Sequence, residues 1–169
     1  MSLREHSIFD CIINNALNFS DEIALVSGDL RLTYGEVPSH VNSLARGLLN
    51  MGFEKGDRIG VLLNNCAEYA LLLAACARIG LITVCLNPRT SADEMRKILK
   101  QAKPKALIFQ KSYEQQADEL REMGIHRQLY CIDDASILSS SFDQLLDEDS
   151  SPITESQPDV DDGWLIIPT

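Results

Sequence analysis

From residue 58 onward, short apolar runs alternate with segments that are long enough to be helices. Four apolar runs predict strands, and the three segments between them carry apolar residues at helical spacing. Because each connection has helical length, the strands must pair in parallel through right-handed crossovers. The predicted fold class is therefore α/β, with a mostly parallel sheet and helices on both faces. The predicted strands cover residues 58–63, 81–86, 106–109 and 129–132, and the predicted helices cover residues 68–79, 91–102 and 113–123.

A small N-terminal hairpin is predicted ahead of this sheet. Residues 23–26 and 30–32 have strand character and flank a turn at Gly28 and Asp29. A helix is predicted over residues 8–19, and another follows the hairpin. No internal repeat is visible in the sequence, so one layered domain accounts for the whole pattern.

Two pairs of residues have the spacing of a helix capping box. In a capping box each side chain accepts a hydrogen bond from the other residue's backbone N–H, and Thr33 with Glu36 and Ser91 with Glu94 fit this pattern. Pro38 complicates the first helix, because a proline beyond the first turn removes a hydrogen bond. Two alternatives follow: the helix begins just before Pro38, or it kinks there.

The charge is distributed unevenly. The chain carries 25 acidic and 15 basic residues, for a net charge of −10. Ten of the acidic residues lie within residues 133–162, where no lysine or arginine occurs, and the rest of the chain is neutral. An acidic chain repels phosphates, which argues against nucleic acid as a partner. The stretch 133–162 is interpreted as solvated and linker-like, because clustered carboxylates resist burial.

The five cysteines show no CxxC pairing, and several of them lie in apolar runs. Buried free thiols in a reducing cytoplasm are the simplest interpretation. A cysteine nucleophile would need a positioned base and a lowered pKa, and the sequence indicates neither. The three histidines are scattered, so no metal site is predicted. The longest apolar run, residues 70–77, is too short to cross a membrane, and no secretory signal is recognised.

The common nucleotide-binding and nucleophile motifs are missing. No GxGxxG or GxSxG motif occurs. Gly47 and Gly52 have the glycine spacing of a Walker loop, but Phe53 and Glu54 follow where that loop requires Lys and Ser or Thr. Gly47 is therefore interpreted as a helix-packing glycine and Gly52 as a helix C-cap. The residues alone describe an α/β domain without a recognisable catalytic constellation.

Three stretches together resemble the N-terminal region of the adenylate-forming acyl-CoA synthetase family. Each stretch is weak alone, but their order and spacing are specific, and the resemblance covers about residues 7 to 169. Cys85 departs from the family pattern, which commonly has proline there. The matching stretches are Leu32-Thr33-Tyr34-Gly35-Glu36-Val37, the segment from Gly56-Asp57-Arg58 to Glu68-Tyr69, and the segment from Arg78-Ile79-Gly80 through Leu86-Asn87-Pro88-Arg89 to Leu99.

The resemblance implies a function for a longer parent protein. That parent would be an ATP-dependent carboxylic acid:CoA ligase that uses ATP, Mg²⁺ and CoA and acts on a fatty or an aryl acid. In the family a strand leads into a phosphate-binding loop rich in Ser, Thr and Gly; residues 164–167 resemble that strand, and Thr169 would be the first loop threonine. Because residues 1–169 lack the rest of the loop, we expect a partial N-terminal domain with no catalytic residue and no bound cofactor, inactive without the remainder of the parent chain.

Two other interpretations stay open at the level of sequence. One is a stand-alone, non-enzymatic α/β module that binds or packs against a partner. The other is a small nucleotide-binding domain of the flavodoxin type, which fits the element order but lacks a phosphate-binding loop. Exposed surface distinguishes the first from a partial domain, because a partial domain should leave a wide apolar patch, with residues 164–167 as a candidate part of it.

Overall fold

The computed structural model of the protein describes residues 7–122, 128–133, 139–154, 158–159 and 161–168. Five α-helices and eight β-strands are found in these residues. The helices are α1 Ile8–Asn18, α2 Val37–Asn50, α3 Ala67–Ile79, α4 Ala92–Ala102 and α5 Glu114–Glu122. The strands are β1 Ile23–Ser27, β2 Leu30–Thr33, β3 Arg58–Leu62, β4 Ile82–Cys85, β5 Ala106–Phe109, β6 Gln128–Cys131, β7 Ser140–Ser141 and β8 Leu165–Ile166.

Six of the strands form one parallel sheet in the order β7-β6-β5-β3-β4-β8. Every neighbouring pair in this sheet is parallel, which confirms the predicted α/β class. Strand β3 occupies the centre, with Gly60 level with Val84 of β4 on one side and Leu107 of β5 on the other. Strand β7 was not predicted, because its two serines lack an apolar run and lie at a sheet edge.

Helices cover both faces of the sheet, as predicted. The chain moves from β3 to β4 through α3 and then back past β3 to β5 through α4. Right-handed crossovers that run in opposite directions place α3 and α4 on opposite faces. Alternate residues of β3 separate accordingly: Ile59 and Val61 pack with α2 and α3, whereas Leu62 packs with α4 and α5.

The two predicted capping boxes differ in where they lie relative to the helices. Ser91 and Glu94 form the predicted capping box at the start of α4. Thr33 and Glu36 also exchange hydrogen bonds, but they do so around the turn at residues 34–36, ahead of α2. Helix α2 begins at Val37 with Pro38 near its start, so the first of the two alternatives for Pro38 is confirmed.

The N-terminal hairpin forms as predicted and stays outside the main sheet. Strands β1 and β2 pair antiparallel, with Ser27 opposite Leu30. Gly28 occupies the turn at φ +57°, in the left-handed region that glycine adopts without a steric cost. The hairpin lies beside α3, near the carboxyl end of the main sheet.

The described parts of the acidic stretch contact α2 rather than run free of the domain. The Ser43 hydroxyl donates to the Asp147 carbonyl at 2.6 Å, and the Arg46 guanidinium donates to the Ser151 carbonyl at 3.1 Å. A β-carbon on Gly47 would lie 1.9 Å from the carbonyl oxygen of Leu145, so the interpretation of Gly47 as a packing glycine is confirmed. The linker-like pattern missed these contacts, because they use backbone carbonyls and because the Asp147 and Asp149 carboxylates find their partners, Asn50 and Arg46, only in the folded chain.

A buried arginine joins three distant segments on the same side of the domain. Arg78, near the end of α3, donates a hydrogen bond to the carbonyl of Ile153. Its guanidinium carbon lies 4.5 Å from the centre of the Phe9 ring in α1. Burial lowers the pKa of Arg78, and the nearby Asp10 carboxylate opposes that shift. This residue therefore holds α1, α3 and the acidic stretch together.

Candidate functional site

Parallel sheets bind ligands beyond the carboxyl ends of their strands, so this edge is the place for a candidate site. A cleft of about 710 Å³ opens there, between the hairpin, the start of α3 and the ends of β4 and β8. Residues 25–28 of the hairpin form one wall, and Cys66 and Tyr69 of the α3 region form the floor. Cys85 and Ile167 complete the cleft from the strand side.

Burial favours the protonated form of two titratable groups in this cleft, the Cys66 thiol and the Tyr69 phenol. Burial is the main cause that raises the pKa of the Cys66 thiol, to about 11, and the Glu68 carboxylate contributes to the rise. Burial also raises the pKa of the Tyr69 phenol, and the adjacent Cys85 thiol adds to that shift. A thiol that keeps its proton is a poor nucleophile, so Cys66 lacks the lowered pKa that a cysteine nucleophile would need.

A polar cluster at the same edge of the sheet was not predicted. Asn64 follows β3, and its side-chain N–H donates to the Gln110 amide oxygen at 3.0 Å, while the Tyr113 hydroxyl donates to the Asn64 amide oxygen at 2.6 Å. The Lys111 backbone N–H donates to the Asp133 carboxylate at 2.7 Å. These bonds join the loops that follow β3, β5 and β6. The sequence carried a signal for them, since Asn64 and Gln110 each come directly after an apolar run.

The strand predicted at residues 164–167 is found as β8, Leu165–Ile166, and it pairs in parallel with β4. Parallel pairing points its carboxyl end at the cleft, where the Ile167 side chain is 68% exposed. Thr169, the expected loop threonine, lies outside the described residues. Its assignment to a phosphate loop stays a prediction.

Within the described ranges, no group of three or more His, Cys, Asp or Glu side chains is placed to hold a metal ion. Among the helices of the described part of the chain, none is long and apolar enough to span a membrane. Among the described residues that line the cleft there is no lysine, arginine, histidine, aspartate or glutamate.

The fold and the cleft together define a doubly wound α/β domain with a candidate ligand site at the carboxyl edge of its sheet. The family model of the AMP-binding enzymes matches residues 13–169. The chain therefore belongs to the AMP-binding enzyme family, as the resemblance in the sequence implied.

Two curated relatives give the scale of the similarity. The human medium-chain acyl-CoA ligase ACSF2, a mitochondrial protein by its name, is 34% identical over 116 residues, which is 68% of this chain and 19% of that protein. The acyl-CoA ligase SID4 of Ajellomyces capsulatus is 33% identical over 117 residues, 66% of this chain and 20% of that protein. The chain thus spans about a fifth of the length of these relatives.

Solved structures confirm the fold. A protein of Rhodopseudomonas palustris, described as a long-chain-fatty-acid CoA ligase, superposes with a TM-score of 0.89 at 30% identity. The match covers 98% of this chain and 42% of that one. The N-terminal domain of FACL13 from Mycobacterium tuberculosis gives a TM-score of 0.81 at 25% identity, over 95% of this chain and 41% of that one. The parallel sheet with its flanking helices is therefore that of the N-terminal domain of acyl-CoA ligases.

Proposed function

We propose that residues 1–169 form a partial N-terminal domain of an ATP-dependent carboxylic acid:CoA ligase. Such an enzyme joins the substrate carboxylate to the α-phosphate of ATP with loss of pyrophosphate, and the CoA thiol then displaces AMP to give a thioester. Family membership and the names of the relatives support this proposal. The observation that carries it is the parallel pairing of β8 with β4, which directs β8 toward the cleft at the carboxyl edge, where parallel sheets bind their ligands.

The residues of the cleft do not by themselves suit ATP and Mg²⁺. Charge that develops at a phosphate is stabilised by a metal ion and by fixed hydrogen-bond donors. The described residues that line the cleft include no lysine, arginine or carboxylate. We therefore propose that Thr169 begins the phosphate loop in a longer protein and that residues 1–169 alone bind no nucleotide and catalyse no reaction.

The substrate class follows from the relatives only as a proposal. The human relative is named for medium-chain acyl groups, and the R. palustris protein for long-chain fatty acids. We propose an aliphatic carboxylic acid for this protein, with aryl acids as the alternative.

A cytoplasmic location is proposed from the five free cysteines, which suit a reducing compartment.

Exchange of labelled pyrophosphate into ATP is the direct test. A chain extended to the length of its relatives should catalyse exchange with at least one acid from a panel of medium-chain, long-chain and aryl carboxylic acids. The chain of 169 residues should give none with any acid. Exchange by the short chain would overturn the inactive-fragment proposal, and no exchange by the extended chain over the whole panel would overturn the ligase proposal.

The stand-alone binding module is not favoured. A domain evolved to stand alone would cover its apolar surface with polar side chains. Here the Val26 and Ile167 side chains, which both line the cleft, are 56% and 68% exposed. This exposure fits a partial domain better than a finished one.

A further inference from the structure

We propose that a cavity between α1, the hairpin and α3 is a binding site for a small neutral molecule with an apolar body and one hydroxyl group. This cavity, which we call the α1 cavity, measures about 200 Å³. It lies next to the cleft at the carboxyl edge and shares only Leu25 and Ala70 with it. The inference does not depend on the ligase proposal, because it concerns a second site with a different kind of ligand.

The walls of the α1 cavity are apolar and belong to packed parts of the domain. Seven of the nine described residues that line it are apolar. Of these, Ile12, Val37 and Leu71 pack against the larger buried core cluster, and Ala74 belongs to that cluster. Because packed interiors leave few voids larger than a water molecule, an apolar cavity of this size between packed elements is suited to hold a ligand.

Two features of the sequence create the α1 cavity. Small side chains at Ala24, Ala70 and Ala74 leave space that larger apolar residues would fill. In addition, the pairing of β1 with β2 shifts in register between Ile23 and Leu25, as in a β-bulge. Successive side chains of a regular strand point to opposite faces, and a bulge re-aims one of them. The irregularity explains how the successive residues Ala24 and Leu25 line the same cavity.

Two neutral polar side chains also line the α1 cavity, and both have hydrogen-bonding capacity to spare. Asn15 lies on α1 one turn after Ile12, and Tyr34 follows β2. Neither side chain forms a hydrogen bond to another residue in the described parts of the chain. The Tyr34 ring is held in place, because its centre lies 6.3 Å from that of Phe19 and its backbone N–H donates to the Glu22 carbonyl at 2.9 Å. A few fixed polar groups in an apolar wall orient a ligand that carries one polar group.

The lining determines the chemical class of the ligand. Among the described residues of the lining none is charged, and an ionised group without a partner resists desolvation. A carboxylate is therefore disfavoured, which separates this site from one for an acid substrate. An engineered apolar cavity of about 150 Å³ holds benzene, so the α1 cavity has room for a ring with a short side chain. The expected ligand is a small phenol or an aliphatic alcohol of similar size.

Titration of the 169-residue chain with four probes, followed by the NMR shifts of its amides, tests the proposal. The probes para-ethylphenol and n-hexanol carry a hydroxyl, ethylbenzene lacks it, and hexanoate is charged. We expect the better of the two hydroxyl probes to bind with a dissociation constant of about 0.1–1 mM, and its identity decides between a ring and a chain. Ethylbenzene should bind about five-fold more weakly than para-ethylphenol, because it lacks one hydrogen bond. Hexanoate should not bind.

Two substitutions test the polar groups. Tyr34→Phe removes the hydroxyl and keeps the ring, so it should weaken the binding of para-ethylphenol about five-fold and leave that of ethylbenzene unchanged. Asn15→Ala should also weaken the binding of para-ethylphenol. Asn14→Ala is the matched control, since Asn14 is the adjacent residue of α1 and does not line the cavity.

A third substitution tests the space itself. Ala70→Leu adds bulk at an exposed position of the lining and should abolish the shifts caused by every probe. Ala92→Leu makes the same change on α4, away from the cavity, and should leave binding unchanged. The thermal midpoint of each variant without ligand shows whether its fold is kept.

The position of the shifts distinguishes this site from its neighbours. The shifts should centre on Ile12 and Val37, which line the α1 cavity but not the cleft. Shifts centred on Cys66 and Cys85 would place the probes in the cleft and overturn the proposal. Equal affinities for para-ethylphenol and ethylbenzene, or binding of hexanoate at Ile12 and Val37, would also overturn it. A chain extended to family length should bind the probes equally well, and loss of binding there would show that polypeptide fills the cavity, contrary to the proposal.

Discussion

The two sides of the parallel sheet differ in how completely they are packed. On the β5 side, Phe109, Leu107 and their neighbours are fully buried beneath α4 and α5. On the β8 side, the apolar run at the end of the chain lies half-exposed beside a cleft. Both sides carry strands with the same kind of apolar sequence. The difference teaches that an apolar run determines where a strand forms, whereas the neighbouring elements determine whether it is buried.

Substitution of one large apolar residue on each side should give the largest contrast. Phe109→Ala removes a fully buried ring and should lower the free energy of unfolding by about 3–5 kcal/mol. Ile167→Ala removes a side chain that is largely in water and should change it by less than about 0.5 kcal/mol. Urea denaturation at neutral pH measures both values. Comparable losses from the two variants would show that β8 is already packed in the short chain.

Two glycines test the same contrast between a packed and an open region, because each can be changed to alanine by one added methyl group. Gly47 sits in α2 against the Leu145 carbonyl, so Gly47→Ala must push the acidic stretch away. The clash should cost about 1–3 kcal/mol and outweigh the gain of about 0.5–1 kcal/mol from higher helix propensity. Gly163→Ala, just before β8, meets only the Ile82 side chain at 3.9 Å and should be neutral within about 0.5 kcal/mol.

The thermal midpoints of the two glycine variants provide the measurement. Gly47→Ala should lower the midpoint by several degrees, and Gly163→Ala should leave it unchanged. An unchanged midpoint for Gly47→Ala would mean that the acidic stretch does not lie against α2 in solution.

Two adjacent asparagines give a smaller and more local contrast. Asn64 joins Gln110 and Tyr113 through hydrogen bonds, whereas Asn65 lines the cleft and has no side-chain hydrogen bond to the described residues. Asn64→Ala should therefore lower the free energy of unfolding by about 1 kcal/mol. Asn65→Ala should change it by less than about 0.5 kcal/mol. Equal losses of stability from Asn64→Ala and Asn65→Ala, measured in the same urea titrations, would show that the hydrogen bonds of the polar cluster do not stabilise the β5 side of the sheet.

The strand at Phe109 and the capping box at Ser91 were predictable, because periodicity and short-range hydrogen bonds act within one segment. The pairing order was not, since the position of β5 beside β3 depends on residues far apart in the chain. The cleft was missed for the same reason: the hairpin residue Val26 and the strand residue Ile167 meet only in the folded chain. The linker-like interpretation of the acidic stretch missed its contacts with α2, because the Asp147 carbonyl and the Asp149 carboxylate meet Ser43 and Arg46 only in the folded chain.

Acidification should give the smallest effect, and it should act on the open side. The Lys55 ammonium lies 2.6 Å from the Asp162 carboxylate, close to β8, and this hydrogen bond, helped by the Asp159 N–H, lowers the pKa of Asp162 below its ordinary 3.8. The pKa of Asp162 is lower in the folded chain than in the unfolded chain, so its ionised carboxylate stabilises the fold. This stabilisation is fully present at pH values above the pKa in the unfolded chain, and it is lost as the pH falls through the pKa in the folded chain.

Asp162→Asn should abolish the contribution of this ion pair to the free energy of unfolding. The loss at neutral pH should be small, because an ion pair in contact with water stabilises weakly. Carboxyl titration by NMR should place the Asp162 midpoint below 3.8 in the native chain, and Lys55→Met should return it toward that value. A midpoint at or above 3.8 with Lys55 present would show that the segment before β8 is not held against Lys55. In that case the open side of the sheet would begin before β8 and would include the turn at residues 161–163.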